Sequence, residues 1–353
     1  MTAGTAADPQ ASTFWIGAAT SGAIGTPARG VRRLAVRRDG GHTLGPAIDV
    51  GPDPRFIARD SSGTLVVAHE LAEGAISVWD ALDPTLRQRT GATPTGGASP
   101  CHVAFDQDGI VVYAANYRGA SVSAHRLSDS SRASAVTFSG SGPHAERQRA
   151  SHPHQVVVDV ARSRLLVPDL GADLVRVIDV DPIDGAQMHH RPERDIRLHA
   201  GAGPRHLVVV GARAIVANEL DRTVSIVDLV SGSELGWNPI ARTRGVGAYG
   251  ASAIRLTPAG TVLIGDRERN AVQTLRWMPG ETRLVHVAET ATGGRHPRDF
   301  ELTRDGSILV VADQASDSLS ILQVDDDGVP GRMLARIPTP APTCVLRIDE
   351  DLV

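Results

Sequence analysis

Short apolar runs that alternate with polar turns recur along this chain of 353 residues. In one copy, an apolar run begins at Pro204, a turn follows at Gly211-Ala212, and a second apolar run ends at Asn218. Related hairpin patterns start at Pro54, Pro100, Pro153, Ser252 and Pro297, and half a copy starts at Pro342. Successive starts are 45 to 53 residues apart. A period of this length, built from short β-rich runs, is typical of one propeller blade.

The two ends of the chain carry complementary parts of one further blade. The run from Pro342 to Ile348 resembles a lone first strand, whereas the stretch from Phe14 to Val36 supplies later strands without a first one. An unpaired sheet edge promotes aggregation, so we expect the two ends to pair with each other. The sequence therefore predicts an all-β fold, a seven-bladed β-propeller with four-stranded antiparallel blades. We expect a single domain over residues 13–353, preceded by a flexible segment at residues 1–12.

Two positions in each hairpin are predicted to share one face of the ring, because the first strand starts beside the end of the second. Just after the second strand, the copies carry a nearly constant Asn or Asp, with one His: Asn116, Asp169, Asn218, Asp266, Asp313 and His69. A residue type shared by almost every blade indicates a structural turn cap. The residue that follows varies among the blades, with Glu in two of the six: Glu70, Tyr117, Leu170, Glu219, Arg267 and Gln314. The second residue of the first strand also differs: Arg55, Cys101, His154, Arg205, Ala253, Arg298 and Thr343. We expect these variable positions to form a site at the mouth of the channel.

The overall composition argues against several classes of protein. A formal net charge of −4 gives no electrostatic reason to expect nucleic acid as a partner, and no polybasic run suggests a membrane surface. No apolar stretch approaches ~20 residues and no signal-peptide pattern is present, so we expect a cytoplasmic protein. Cys101 and Cys344 lack metal-type spacing and are expected to be buried thiols.

Several motifs together resemble a known family. They are Ser151-His152-Pro153-His154-Gln155, the stretch from Val167 to Asp173, Gly203-Pro204-Arg205-His206, Asn218-Glu219-Leu220, Asn116-Tyr117 with Gly119, and Pro297-Arg298-Asp299-Phe300. The chain resembles the seven-bladed lactonase family, which includes one type of 6-phosphogluconolactonase and the fungal carboxy-muconate lactonising enzymes. The resemblance extends over roughly residues 13 to 349.

The resemblance implies a catalytic set of His154, Arg205, Glu219 and Arg267. His154 is then the acid or base, with Glu219 orienting it or acting as a second base, and Arg205 and Arg267 hold the anionic substrate and its developing charge. Further substrate-binding residues are expected at the same mouth: Arg298, Arg55, Tyr117, His102 and His206. No metal and no cofactor are expected. The expected partner is a small anionic substrate, and the expected state is a monomer or a weak homo-oligomer.

Other interpretations of these residues remain open. Arg205 and Glu219 could form a structural ion pair, and His154 could be a hydrogen-bonded channel residue. His152 lies two residues before His154, but no third ligand follows at metal-site spacing. The stretch from Glu146 to Arg149 is rich in arginine and has no assigned role.

Three functions fit the sequence. The first is a lactonase that hydrolyses an anionic sugar lactone, with 6-phosphogluconolactone as the substrate that the resemblance implies. The second is a cycloisomerase or pathway-specific cyclase that uses the same residues on a carboxylate substrate. The third is a non-catalytic binding propeller. We favour the first, because a binding scaffold has no reason to keep one His, one Glu and two Arg around one channel mouth.

Overall fold

The strands of the computed structural model form a ring of seven antiparallel sheets within the residues that it describes, which are 11–22, 24–83, 85–128, 131–242, 250–278 and 280–348. The predicted all-β, seven-bladed propeller is therefore confirmed. The flexible segment expected at residues 1–12 falls mostly on residues 1–10, which lie outside the described residues, as do residues 349–353 of the expected domain. Among the described residues, no helix is long and apolar enough to cross a membrane.

Most strands follow one another along the chain with short connections. The first half comprises β1 (Ala11–Ala18), β2 (Arg32–Arg37), β3 (His42–Leu44), β4 (Pro54–Arg59), β5 (Thr64–His69), β6 (Ala75–Asp80), β7 (Arg87–Pro94), β8 (Pro100–Phe105), β9 (Val111–Asn116), β10 (Ser121–Arg126), β11 (Arg132–Thr137), β12 (Val157–Asp159), β13 (Arg164–Asp169), β14 (Leu174–Val180), β15 (Met188–His190) and β16 (Ile196–Arg197). The second half comprises β17 (Pro204–Val210), β18 (Arg213–Asn218), β19 (Thr223–Asp228), β20 (Ser233–Pro239), β21 (Ala251–Leu256), β22 (Thr261–Asp266), β23 (Ala271–Trp277), β24 (Leu284–Ala291), β25 (Pro297–Leu302), β26 (Ile308–Asp313), β27 (Ser318–Val324), β28 (Pro330–Pro338) and β29 (Pro342–Ile348). Longer connections join β1 to β2 and β11 to β12, and short 3-10 turns lie at Val160–Arg162, Pro192–Arg194 and Gln314–Ser316.

Six blades are consecutive in the chain. They are blade 1 (β4–β7), blade 2 (β8–β11), blade 3 (β12–β16), blade 4 (β17–β20), blade 5 (β21–β24) and blade 6 (β25–β28). In blade 3 the outermost strand is interrupted, so that β15 and β16 each pair with β14 on either side of the turn at Pro192–Arg194.

Blade 7 is built from both ends of the chain, as the sequence predicts. Its strand order is β29-β1-β2-β3, and Ile16 of β1 faces Val345 of β29. The innermost strand β29 is also tied to its neighbours, because Thr343 Oγ1 donates to the carbonyl of Arg55 (2.8 Å) and the Val345 amide donates to Asp299 (2.9 Å). The ring is closed in this way without an open sheet edge between its first and last blades.

Each innermost strand carries one extra residue near its start. In blades 1, 2, 4 and 6 the register slips immediately after the leading proline, which leaves a single residue unpaired: Arg55, Cys101, Arg205 and Arg298. In blade 3, Pro153 bridges Asp169 while Val157 pairs with Leu166, so one residue is again in excess around His154. A β-bulge bends its strand and redirects the side chain that it carries. These bulges therefore place the variable residues of the repeat at one end of the channel.

The nearly constant polar residue at the end of each second strand belongs to the scaffold. Asn116, Asp169 and Asp313 are buried, and each is hydrogen-bonded within its blade, to Ser121, Ser151 and Ser320 respectively. The structural role that the repeat pattern predicts is therefore confirmed at these positions. Cys101 and Cys344 are buried free thiols, also as predicted.

Candidate active site

The carboxylate of Glu219 is the centre of a buried charge cluster at the channel mouth. Glu219 follows β18, Arg205 is the bulged residue of β17, and Arg267 follows β22. One carboxylate oxygen, Oε2, lies 3.2 Å from Nε of Arg205 and 2.8 Å from Nη2 of Arg267. All three side chains are at most 7% exposed. The predicted convergence of these residues from blades 4 and 5 is thus present in the structure.

A third guanidinium completes the cluster. Nη2 of Arg147 lies 2.7 Å from the other carboxylate oxygen of Glu219, Oε1, and 3.3 Å from the hydroxyl of Tyr117. Arg147 comes from the long connection between β11 and β12, not from a hairpin of the repeat. Its role was missed from sequence, where the only signal was the unexplained density of arginine between residues 146 and 149.

The charges of the cluster do not cancel. Burial alone would raise the pKa of Glu219, but Arg267, Arg147 and Arg205 hold that pKa far below its usual range. Burial and the charge of Arg267 lower the pKa of Arg205 to about 9, so its guanidinium is still protonated at neutral pH. Three cations therefore surround one anion. An excess of positive charge of this kind favours the binding of an anion.

His154 lies beside the cluster as a neutral imidazole. Its ring packs edge-on against Tyr117 and His206, with centroids 5.3 and 5.4 Å away, and Nδ1 lies 3.8 Å from the sulfur of Cys101. Burial, together with the charge of Arg205, holds the pKa of His154 well below its usual value of 6.5. A neutral imidazole at pH 7 can accept a proton on its unprotonated nitrogen, whereas its remaining N–H is a very weak acid.

Glu219 does not orient His154 in this structure. Among the described residues no hydrogen bond joins the two side chains, and both carboxylate oxygens are occupied by guanidinium groups. Of the roles expected for Glu219, charge balance for the arginines therefore fits the geometry better than orientation of His154 or base catalysis.

Two further imidazoles extend from His154, with His206 beside it and His102 beside His206. The ring of His206 is 5.8 Å from that of His102, which packs against Phe56 at 4.2 Å. Burial lowers the pKa of His102 to about 3 and that of His206 well below its usual value. Nη1 of Arg205 is 3.3 Å from Nε2 of His206, which links this pair to the charge cluster. His102 and His206, which the resemblance predicts to bind substrate, are therefore uncharged at neutral pH.

Arg55 and Arg298 lie around Glu70 on blades 1 and 6. Both approach Glu70, at 3.9 and 3.4 Å, and Arg55 also lies 3.5 Å from Asp53 and donates to the carbonyl of Ser21. Two arginines face two carboxylates here. The group is electrically balanced, in contrast to the cluster around Glu219. Burial lowers the pKa of Arg205 and of Arg267 in that cluster, and the nearby charge of Arg298 lowers both further.

His152 packs against Tyr117 beside the site. Its ring stacks on Tyr117 with centroids 4.5 Å apart, and Nδ1 lies 2.9 Å from the carbonyl oxygen of Tyr117. In the part of the chain that the structure describes, no group of three or more His, Cys, Asp or Glu side chains is arranged to hold a metal ion.

Comparison with known proteins identifies a family model and relatives. The family model described as lactonase, 7-bladed beta-propeller matches residues 13–347. An uncharacterised protein of Lactococcus lactis is 30% identical over 77% of this chain and 81% of its own length. A 6-phosphogluconolactonase of Formosa agariphila is 26% identical over 65% of this chain and 68% of its own length.

Solved structures share the fold. A protein from Lactobacillus plantarum has a TM-score of 0.87 with 25% identity, covering 96% of this chain and 100% of its own. The periplasmic gluconolactonase of Pseudomonas aeruginosa has a TM-score of 0.87 with 24% identity, covering 96% and 99% of the two chains. At this level of identity, the latter likeness concerns the fold alone.

Proposed function

Because this chain belongs to the seven-bladed β-propeller lactonase family, we propose that it hydrolyses an anionic sugar lactone, with 6-phosphogluconolactone as the first candidate. The observation that carries this proposal is the juxtaposition of a neutral buried imidazole, His154, with a cluster of guanidiniums that exceeds its single carboxylate in charge. Several curated relatives bear the name 6-phosphogluconolactonase, which supports the choice of substrate.

In the proposed reaction, His154 acts as the general base. It accepts a proton from a water molecule as the water oxygen attacks the lactone carbonyl carbon. The carbonyl oxygen becomes an oxyanion, which the guanidiniums of Arg205 and Arg267 stabilise. The tetrahedral intermediate then collapses with cleavage of the ring C–O bond. The departing alkoxide takes the proton from the imidazolium of His154, which restores the neutral base and completes the hydroxy acid.

The anionic group of the substrate is proposed to bind at the Glu219 cluster and not at the Glu70 group. Arg55 and Arg298 are already balanced by Glu70 and Asp53, so an incoming anion gains less there. The cluster around Glu219 retains excess positive charge and is walled by buried side chains, where charge-assisted hydrogen bonds are strong.

The state of His154 favours hydrolysis over the cyclase alternative. A cycloisomerase or pathway-specific cyclase that protonates a carbon atom needs an effective acid, whereas burial and Arg205 keep His154 in its neutral, very weakly acidic form. The first step of hydrolysis instead requires a group that accepts a proton from water, which a neutral imidazole can do. A binding propeller without catalysis remains the alternative that the experiment below is designed to detect.

The experiment is a panel of lactones assayed by acid release, corrected for spontaneous hydrolysis with heat-inactivated protein. We expect turnover of 6-phosphogluconolactone and a loss of about 10²–10⁴-fold in kcat for His154→Asn with a modest change in KM. The matched control is His189→Asn, an exposed histidine on β15 far from the channel. Full turnover by His154→Asn would eliminate the mechanism, and absence of turnover across the panel would favour the binding propeller.

For the whole protein we propose a monomer or weak homo-oligomer in the cytoplasm, with a small anionic substrate as its partner. Buried, unpaired thiols at Cys101 and Cys344 fit a reducing compartment. Sedimentation velocity under reducing conditions measures the oligomeric state directly.

A further inference from the structure

Arg147 differs from the other arginines of the cluster in origin and in exposure. It lies in the connection between β11 and β12, which is not part of the hairpin repeat. Its side chain is 33% exposed, whereas those of Arg205 and Arg267 are 3% and 7% exposed. Arg147 is therefore the member of the cluster that an incoming ligand reaches from solvent.

The connection holds Arg147 in place through its neighbour. Gln148 is buried, and its side-chain amide donates to the carbonyl of Leu170 (2.9 Å) and to Asp173 (2.6 Å). The side-chain oxygen of Gln148 accepts from the amide of His144 (3.0 Å). These bonds fix the loop on blade 3, so that the guanidinium next to Gln148 is positioned before any ligand arrives.

Arg147 is not required to neutralise Glu219. Oε2 of Glu219 already contacts two buried guanidiniums, and Arg147 contacts the other oxygen. Without Arg147, two cations would still face one anion. The charge of Arg147 is therefore available to a ligand, and its fork of N–H groups lets it bind an oxyanion while retaining one bond to Glu219.

We propose that Arg147 is a specificity-determining residue, which selects lactones that carry an additional anionic group, such as a phosphate ester, over neutral lactones of the same ring. This inference rests on the proposed lactonase function. It assigns the extra charge of the substrate to the outer side of the cluster, at Arg147 and the adjacent Tyr117 hydroxyl. The reacting carbonyl then lies deeper, at Arg205, Arg267 and His154.

The test compares kcat/KM for 6-phosphogluconolactone and for glucono-δ-lactone, which lacks the phosphate. Arg147→Gln is expected to lower kcat/KM for the phosphorylated lactone by about 10- to 100-fold and to change that for the neutral lactone by less than about 3-fold. Arg147→Lys, which keeps the charge but not the fork, should fall between Arg147→Gln and the wild type.

Arg149→Gln is the matched control. Arg149 lies on the same connection, is exposed, and its Nε donates to the carbonyl of Ala145 (2.6 Å). The substitution removes the same charge from the same loop without touching the cluster. It is expected to leave both kcat/KM values unchanged.

The outcomes separate this inference from the function on which it rests. If the wild type hydrolyses neither lactone, or the neutral one alone, the inference is overturned. If the wild type hydrolyses both and Arg147→Gln keeps their ratio, Arg147 has no role in specificity, although the lactonase function stands. An equal loss of kcat/KM on both substrates with a shifted pH profile would mean that Arg147 acts through Glu219 and does not determine specificity.

If the wild type turns over only the phosphorylated lactone, the inference requires that the KM of Arg147→Gln for this lactone rise at least about 10-fold. Should Arg147→Gln fail to fold, the same criteria apply to Arg147→Lys.

Discussion

Glu219 is a buried carboxylate whose ionised state depends on its arginine neighbours, and those neighbours depend on it. Replacing it with Gln leaves Arg205 and Arg267 buried without a counter-charge. We expect Glu219→Gln to lower the free energy of unfolding by about 3–5 kcal/mol, the range for breaking a buried pair, as measured by urea titration. Inorganic phosphate should restore part of the loss, because an anion that occupies the cluster replaces the missing charge.

Glu289→Gln provides the comparison for Glu219→Gln. Glu289 pairs with Arg269 on the outside of blade 5, where both side chains are 33% exposed. Removing such an exposed ion pair is expected to lower the free energy of unfolding by about 1 kcal/mol or less. Equal costs for the two substitutions would show that the Glu219 cluster contributes no more to stability than a surface pair.

His154 should give the reaction a distinctive pH dependence. Protonation inactivates a general base, and burial with the charge of Arg205 holds the pKa of His154 well below 6.5. We therefore expect kcat/KM to remain constant as pH falls from 7.5 through 6.5 and to decline only at lower pH. Initial rates with 6-phosphogluconolactone at constant ionic strength measure this profile. An acid limb centred at or above 6.5 would mean that His154 is charged in the free protein or is not the base.

The individual residues of the site differ in how well the sequence predicts them. Comparing blades finds the two variable positions that carry Arg205 and Glu219, but Arg55, Arg298 and Glu70 occupy the same positions in other blades. The family resemblance was needed to choose between them. Arg147 could not be found in this way, because the connection that carries it has no counterpart in the other blades. Its contact with Glu219 depends on how Gln148 anchors the loop, which is a property of the folded structure.

At the level of elements, the bulges explain why equivalent positions diverge in chemistry. Side chains of paired strand residues alternate between the two faces of the sheet, which restricts their residue type. A bulged residue lies outside this alternation, so its type can change without disturbing the sheet. The sequence predicts the hairpins from their apolar runs and turns, but a single extra residue leaves no mark in that pattern. The interruption of the outer strand of blade 3 between β15 and β16 was likewise not predicted, although Pro192 at the break is a signal for it.

A charged histidine joins the crossover segment after β16 to blade 4. Nδ1 of His199 lies 2.8 Å from Glu234 and Nε2 lies 2.7 Å from Asp221, while the ring stacks on Trp237. Partial burial opposes the charge, but the two carboxylates raise the pKa of His199 to about 9. The contact links blades 3 and 4 and depends on the protonation of His199, whose proton is bound more weakly in the unfolded chain.

The stability that His199 contributes should disappear in alkali. Its folded pKa lies above the unfolded value of about 6.5, so the contribution is complete below pH 6.5 and is lost as pH rises through about 9. We expect the urea concentration at the midpoint of unfolding of the wild type to fall between pH 7 and pH 9.5. The midpoint of His199→Gln should be lower than that of the wild type at pH 7 and should fall less over the same range. Parallel curves for the two proteins would contradict this account.

At the scale of the whole molecule, closure by β29 and burial of neutral histidines set the conditions under which the ring is stable. Closure could be predicted because the half-copy at Pro342 complements the strands that begin near Phe14. The protonation states could not be predicted, because they depend on burial and on neighbouring charges. Burial lowers the pKa of each of the six buried histidines among the described residues: His69, His102, His125, His154, His206 and His296.

These six histidines should make the propeller sensitive to acid. The unfolded chain takes up protons at each of them near pH 6.5, whereas the folded chain does so only at lower pH, so unfolding becomes more favourable as pH falls below 6.5. Asp313 and Asp299 act in the opposite direction, because burial raises the pKa of both carboxyl groups, that of Asp313 to about 6, and His199 remains fully charged over this range. Six groups that favour unfolding in acid outweigh these two. We expect the urea midpoint to fall steadily from pH 7 to pH 4.5.

His125 allows this effect to be isolated away from the channel mouth. It is buried in blade 2, where its Nε2 lies 2.9 Å from the hydroxyl of Ser123, and burial lowers its pKa to about 4. His125→Gln keeps a polar side chain at this position but removes the group that can take up a proton. The variant should be less stable than the wild type at pH 7, and the difference should narrow as the wild type is acidified toward pH 4.5. A midpoint that stays constant or rises on acidification of the wild type would show that these histidines are not buried in their neutral form.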